Sequence, residues 1–415
     1  MVLDPIWLLA YASVFALGAA LAARRPVYAA ALLAFAVPFA FAHEAWGTTV
    51  TLGKAALVGV IAGLCTRTEP LPFARFPRAV AAGFAAIIAF DLISGIHAEH
   101  RVEVVRETLK WLEYALYFAA VFFCYALDEQ PRILRAAISI SVLAVAASAF
   151  ADLVLGAGSV LVAGGRTIPR IAGALEGPNQ LGGYLEIAIA LLGAWQLRDR
   201  SRAGAFVLAI AGAALALAFS RAALVGTAVA LLVLAWTERE RIAAAWSIAA
   251  GLIGGYAIAL LDVRGISPLA LVWAAFGERA SDIDAALSGG VGSRSELWHA
   301  AVALWRAHPL IGIGAGNYQY ELGKTGLYGV RTQANEWYLQ VLAEGGVLLF
   351  VAVLTWLISV VRALVANVRR SPWSAGALAA TCAMVVHGFS DDLVFYPKVA
   401  ELWMTALALG CAAER

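Results

Sequence analysis

The chain has 415 residues, of which 62% are hydrophobic and only 14% charged, against about 45–50% and about 25% in soluble globular proteins. This composition excludes a water-soluble enzyme, a disordered chain and a secreted domain, and it points to a lipid bilayer. A net charge of only +2 gives no reason to expect nucleic acid.

A membrane helix needs about 20 mostly apolar residues, fewer where its flanks can snorkel. Taken in order, apolar stretches predict helices near 6–22, 27–43, 51–65, 79–95, 109–127 and 134–156. A second series follows near 180–197, 203–219, 222–236, 242–261, 339–361, 375–390 and 397–412. That makes thirteen spans, or twelve given how short the third and ninth are. The stretches are continuous and rich in Ala and Leu, without the alternation of a barrel strand. The predicted fold class is an all-α polytopic membrane protein with 12–13 transmembrane helices and one large loop, 262–338, containing a short helix at Ser295–Ala307. The chain then divides into a first bundle segment (1–261), the loop (262–338) and the C-terminal helices (339–415). Cys65, Cys124, Cys382 and Cys411 lie in or beside apolar runs, with no CxxC spacing, and read as structural thiols.

Arginines fix the orientation. Arg24, Arg25, Arg67, Arg75, Arg78, Arg132, Arg135, Arg198, Arg200, Arg202, Arg239, Arg241, Arg362, Arg369 and Arg370 fall in every second loop. The positive-inside tendency assigns those loops to the cytoplasm, with the N-terminus outside. The first span has neither a basic start nor a small-residue cleavage site and reads as an anchor.

The opposite loops carry the informative charges. Arg221 lies in Phe219-Ser220-Arg221, where two spans meet almost without a loop; it is a snorkelling side chain or an anion ligand. Arg294 opens a helix after the Gly-rich run 288–292, a place where backbone N–H groups bind anions, although Glu296, Asp282 or Asp284 would also pair with it. Arg166 and Arg170 precede Gly177-Pro178-Asn179-Gln180, a plausible helix start. Arg331 leads into Asn335-Glu336-Trp337 and, eight residues beyond Glu336, Glu344, at the mouth of the eleventh span. Gly312, Gly314 and Gly316 look like close backbone packing, because the strand and helix of a nucleotide loop are missing. His387, Asp391 and Asp392 lack a fourth metal ligand, so no metal is expected. Guanidinium groups hold phosphate through bidentate, charge-assisted bonds. Arg166, Arg170, Arg221, Arg294 and Arg331 gathered on the outer face therefore point to a lipid-linked phosphate or diphosphate.

The order of these motifs resembles the O-antigen ligase and polymerase family of bacterial envelope glycosyltransferases. Arg170-Ile171-Ala172-Gly173 with Pro178-Asn179 and Tyr184-Leu185, Phe219-Ser220-Arg221, Arg294-Ser295-Glu296-Leu297-Trp298, Pro309-Leu310-Ile311-Gly312-Ile313-Gly314 and Asn335 to Gly346 carry the likeness, over roughly 170–350. The resemblance implies a GT-C-like enzyme of the bacterial inner membrane, with its site facing the periplasm. It implies inverting, metal-independent transfer of a glycan from undecaprenyl diphosphate, without a cofactor, to lipid A–core (ligase) or to another repeat unit (polymerase). Arg221 and Arg294 would grip the donor diphosphate, with Arg170, Arg166, Arg331, Asn179 and Gln180 beside them. One departure stands out. Where the family has a histidine as favoured base, this chain has Asn335, or Ala334 if one residue is inserted. Neither takes a proton, which leaves Glu336, His299 or His308 as candidates. A transporter of lipid-linked glycans would use the same arginines, with Lys54, Asp91 and Glu186 as ionisable groups inside the spans.

Overall fold

The computed structural model describes residues 5–39, 43–45, 48–163, 166–237, 243–262 and 294–412. The Gly-rich run 288–292, Asp282 and Asp284 lie outside them, as do Arg239 and Arg241.

All thirteen apolar stretches are helices. The first series is α1 (Pro5–Arg24), α2 (Pro26–Ala36), α3 (Leu52–Cys65), α4 (Arg78–Ser94), α5 (Arg101–Leu127) and α6 (Pro131–Leu155). Next come α7 (Pro178–Asp199), α8 (Arg202–Ala218), α9 (Arg221–Thr237) and α10 (Ala243–Asp262). The large loop contributes α11 (Arg294–Ala307) and α12 (Tyr318–Glu321), and the chain closes with α13 (Trp337–Asn367), α14 (Pro372–His387) and α15 (Pro397–Ala412). Two short antiparallel hairpins interrupt the helices: β1 (His43–Ala45) with β2 (Thr48–Val50), and β3 (Ser159–Ala163) with β4 (Arg166–Arg170).

Two boundaries differ from expectation for identifiable reasons. The second stretch stops at Ala36 and not near 43, because Pro38 has no N–H with which to continue the helical ladder. The fifth helix starts at Arg101, eight residues early. Its first turns are too polar to register as apolar, but Glu103 pairs with Arg106 and Glu107 with Lys110, both three apart at 2.7 Å.

Among the described residues, three helices are long and apolar enough to cross a membrane by length and composition: Ile6–Arg24, Pro131–Leu155 and Trp337–Asn367. Five more are apolar with 10–17 residues. A 17-residue helix rises only about 26 Å, a shortfall that flanking polar side chains and local thinning accommodate. The chain is an integral membrane protein. Large apolar side chains such as Leu9, Val58, Ile140, Leu232, Trp246 and Ile253 stand exposed on the outside of the bundle, the arrangement lipid favours.

At the centre are α7, α14 and α15, buried almost all round; α14 packs on α7, α9 and α15, and α15 on α5. Small residues bring the peripheral pairs together. A Cβ on Gly59 or Gly63 of α3 would collide with the carbonyls of Phe15 or Ala19 on α1. Gly251 and Gly255 of α10 sit in the same way on Ala209 and Ala213 of α8. Such contacts draw helices close where lipid offers no hydrophobic drive.

The bundle has two distinct ends. At the lower end Arg67 donates to Ala22 and Ala23 carbonyls (3.2 and 2.8 Å), and Arg75 to Glu129 (2.6 Å) and the Ala412 carbonyl (2.7 Å). Arg198 donates there to the carbonyls of Arg370 and Arg369 (3.0 and 3.2 Å), and Arg135 pairs with Asp199. The upper end carries the hairpin β3–β4, the α8–α9 junction, α11, α12 and the turn 388–396.

Candidate functional site

Arg170 is the last residue of β4 and is held by three things. Its Nε donates to the Ala218 carbonyl (2.9 Å) and its Nη2 to Asn179 Oδ1 (3.1 Å). The following loop is pinned by Asp152, which accepts the N–H groups of Ala172 (3.0 Å) and Gly173 (2.6 Å). Asn179, in the first turn of α7, passes the network on by donating to Asp391 Oδ2 (2.9 Å).

Arg221 is the first residue of α9. The two-residue connection before it uses Phe219 in the left-handed region (φ 49°), a strained choice for an aromatic residue. Phe219 is fully buried and packs edge-on against Tyr256, their centroids 5.7 Å apart, which holds the strain in place. Arg294, the first residue of α11, donates through Nη1 to the Ser390 carbonyl (2.9 Å). The bland pairing with Asp282 or Asp284 falls on residues outside those described.

These three arginines come together. Burial, and then the charge of Arg294, pull the Arg170 guanidinium down to about 10; Arg221 acts in the same direction and Asp391 opposes. Arg294, Arg221 and Asp391 thus all act on the Arg170 guanidinium, and grouped guanidiniums are chemically suited to a multiply charged anion.

The other predicted residues fall elsewhere. Arg331 stacks over Tyr320, 4.7 Å from its centroid, and is not among the charges acting on Arg170. Gln180 is buried on α7 within hydrogen-bonding reach of Tyr396. Arg166 begins β4, opposite Ala163. Asn335 takes a left-handed backbone (φ 53°), which asparagine tolerates. Glu336 is the N-cap of α13: its side chain accepts from Leu339 N–H and is buried. As the cap it stands just outside the helix that carries Glu344. Burial, opposed by these backbone bonds, raises its proton affinity, and no arginine is among the causes. His299 is exposed on α11, and His308 stacks on His97 with centroids 4.6 Å apart.

His387, Asp391 and Asp392 do not form a metal cluster. Asp391 faces Asn179 and Arg170, whereas Asp392 turns the other way toward Lys110. His387 Nδ1 instead meets the carboxylate of Glu186 at 3.0 Å, both side chains fully buried. This pair lies within electrostatic reach of Asp391 and Arg294. Glu186 was legible as a lone carboxylate in an apolar run, seven residues and so two helical turns below Asn179. Its partner, 201 positions away, was not.

The Gly312–Gly316 run packs as expected. A Cβ on Gly312, Gly314 or Gly316 would run into Glu344, Ala98 or Glu107, and all three have positive φ (68°, 106° and 73°). The turn is stitched to α13. Gly346 (φ 64°, ψ −166°) breaks the helix, and the turn fills the gap: Ile313 and Gly314 donate to Ala343 and Glu344 carbonyls (3.0 and 2.9 Å). Val347 and Leu348 donate back to Pro309 and Leu310 (2.9 and 3.1 Å).

No curated protein matches the chain. A family model described as O-Antigen ligase matches residues 205–354, a stretch that includes Arg221, Arg294, Arg331, Asn335 and Glu336 and stops short of Arg170, Asn179 and Asp391. The family read from the motifs is thus supported by the match, in which residues 205–354 of this integral membrane protein resemble the O-antigen ligase family.

Proposed function

We propose that the protein is an inverting, metal-independent glycosyltransferase of the bacterial inner membrane. It moves a glycan from undecaprenyl diphosphate to an acceptor hydroxyl at the periplasmic face. The acceptor is lipid A–core in the ligase reading and another repeat unit in the polymerase reading. The observation that carries the proposal is the convergence of Arg170, Arg221 and Arg294 at the end of the bundle opposite the Arg67, Arg75, Arg135 and Arg198 anchors.

In this reading Arg221 and Arg294 bind the diphosphate and Arg170 completes the positive field. The bond between the anomeric carbon and the diphosphate oxygen breaks, and its electron pair leaves with lipid diphosphate. The acceptor oxygen bonds the anomeric carbon from the opposite face and gives up its proton. Once the arginines neutralise its charge, diphosphate is a competent leaving group, so positioning and electrostatics outweigh base strength. Glu336 is the proton acceptor proposed for the step, its affinity for protons raised by burial.

The test uses full-length protein in nanodiscs with an undecaprenyl-diphosphate glycan and candidate acceptors, and measures released lipid diphosphate. Arg221→Ala and Arg294→Ala are expected to abolish transfer while leaving membrane insertion intact; full transfer in either removes the clamp. Glu336→Gln keeps an oxygen that can cap α13 but removes the base, and should slow transfer by about 10²-fold or more. A wild-type rate in that variant moves the base role to another residue.

A further inference from the structure

The turn 388–396 has a second side. Behind it lies a small open-mouthed cavity of about 50 Å³. Four carboxyl groups from four elements line it: Asp91 of α4, Glu107 of α5, Glu344 of α13 and Asp392. Lys110 is the single cation, and it is already committed, donating to both Glu107 oxygens at 2.7 and 2.8 Å. Glu344 Oε1 is likewise occupied, accepting from Gln340 Nε2 (2.7 Å) and Tyr318 N–H (3.1 Å). Asp392 Oδ1 accepts Phe395 N–H at 3.2 Å.

Asp91 breaks the pattern. It is 1% exposed, lines the cavity, and its Oδ2 has no hydrogen-bond partner. A buried polar atom left unsatisfied is costly, and a native protein that carries one needs a reason for it. The walls supply the rest of the chemistry. Trp111, Trp337 and Phe395 line the same space as the acid groups and the amides of Gln333 and Gln340.

We propose that this cavity is a sugar-hydroxyl subsite, taking the hydroxyl-bearing edge of one saccharide unit, with Asp91 Oδ2 as its deepest contact. A hydroxyl both donates and accepts, so it satisfies a carboxyl in either protonation state. The aromatic faces cover the apolar face of a sugar ring. A bare metal ion fits less well. Among the described residues, the one group of His, Cys, Asp and Glu with ligand atoms within 4.8 Å of one another is Glu99, His100 and Glu321, none of which lines this cavity. As the subsite of the acceptor the inference rests on the proposed glycosyl transfer, and the geometry supports that role. Asp391 and Asp392 are adjacent, one facing the arginines and the other the cavity, so an anionic donor and a neutral polyhydroxyl acceptor would flank one turn.

The experiment is equilibrium binding of methyl glucoside, methyl galactoside and methyl mannoside to full-length protein in nanodiscs, read by saturation-transfer NMR without donor. At least one glycoside is expected to bind the wild type, about tenfold more weakly to Asp91→Leu, and unchanged to Arg221→Ala. Asp392→Asn, which keeps the bond to Phe395, is a second probe in case Asp91→Leu does not insert, and it too should weaken binding. The subsite is overturned if none of the three binds the wild type, if affinity survives both cavity variants, or if added sodium or calcium occupies the cavity in place of sugar. Glycoside binding without any release of lipid diphosphate would instead sink the transfer reaction and leave the subsite standing.

Discussion

The two ends of the bundle use the same side chain for opposite purposes. At the lower end four arginines find backbone carbonyls or a carboxylate of a neighbouring helix: Arg67 at the end of α1, Arg75 at the ends of α5 and α15, Arg198 beyond α13, and Arg135 at Asp199. These contacts tie helix ends together, and each cation is answered locally. At the upper end the charges of Arg294 and Arg221 both act on Arg170, and Asp391 opposes them there. Identical chemistry thus makes fasteners where the arginines are spread out and, under the proposed function, a receptor field where they are gathered.

That contrast can be broken or sharpened by substitution. The largest effect belongs to the gathered set: Arg221→Ala or Arg294→Ala should cut lipid-diphosphate release by about 10³-fold or more, whereas Arg198→Ala should leave it within about twofold. Equal losses at both ends would erase the distinction.

Next is Asp392, whose carboxyl burial pushes up to about 7, against the pull of Lys110. Its folded value lies above its unfolded one, so the folded state holds the extra proton. The protein is then relatively most stable below about pH 4 and loses that stability as pH rises toward 7. The full penalty is about 4 kcal/mol. Asp392→Asn should flatten this pH dependence in thermal unfolding, and an unchanged profile would remove the assignment.

Smaller is Gly312→Ala, which forces a left-handed backbone and a clash with Glu344, costing about 3 kcal/mol in unfolding measurements. Smallest is Arg75→Ala at the lower end, a partly exposed pair worth under about 1 kcal/mol.

Helix number and position were legible because apolar length is the dominant constraint in a bilayer, and all thirteen stretches appear as helices. What escaped were features made by partners distant in sequence. The polar start of α5 is helical because its charges pair along one face. Arg170 and Arg221 were nameable as outer arginines, but their grouping with Arg294 depends on β4, α9 and α11 meeting at the turn 388–396. Arg331 shared the same sequence logic and instead stacks on Tyr320. The cavity was the least legible feature, since Asp91, Glu107, Glu344 and Asp392 come from four elements and no local motif joins them.

The helix break at Gly346 has a mechanical corollary. The four backbone bonds that close it splice the strut formed by α11 and the turn 308–316 to α13, the longest of the described helices. Arg294 sits at the far end of that strut, moored to Ser390. With both extremities tethered, the strut does not swing as a flap. Under the proposed glycosyl transfer, the donor would then be admitted past α11, or at the cost of all four main-chain bonds together.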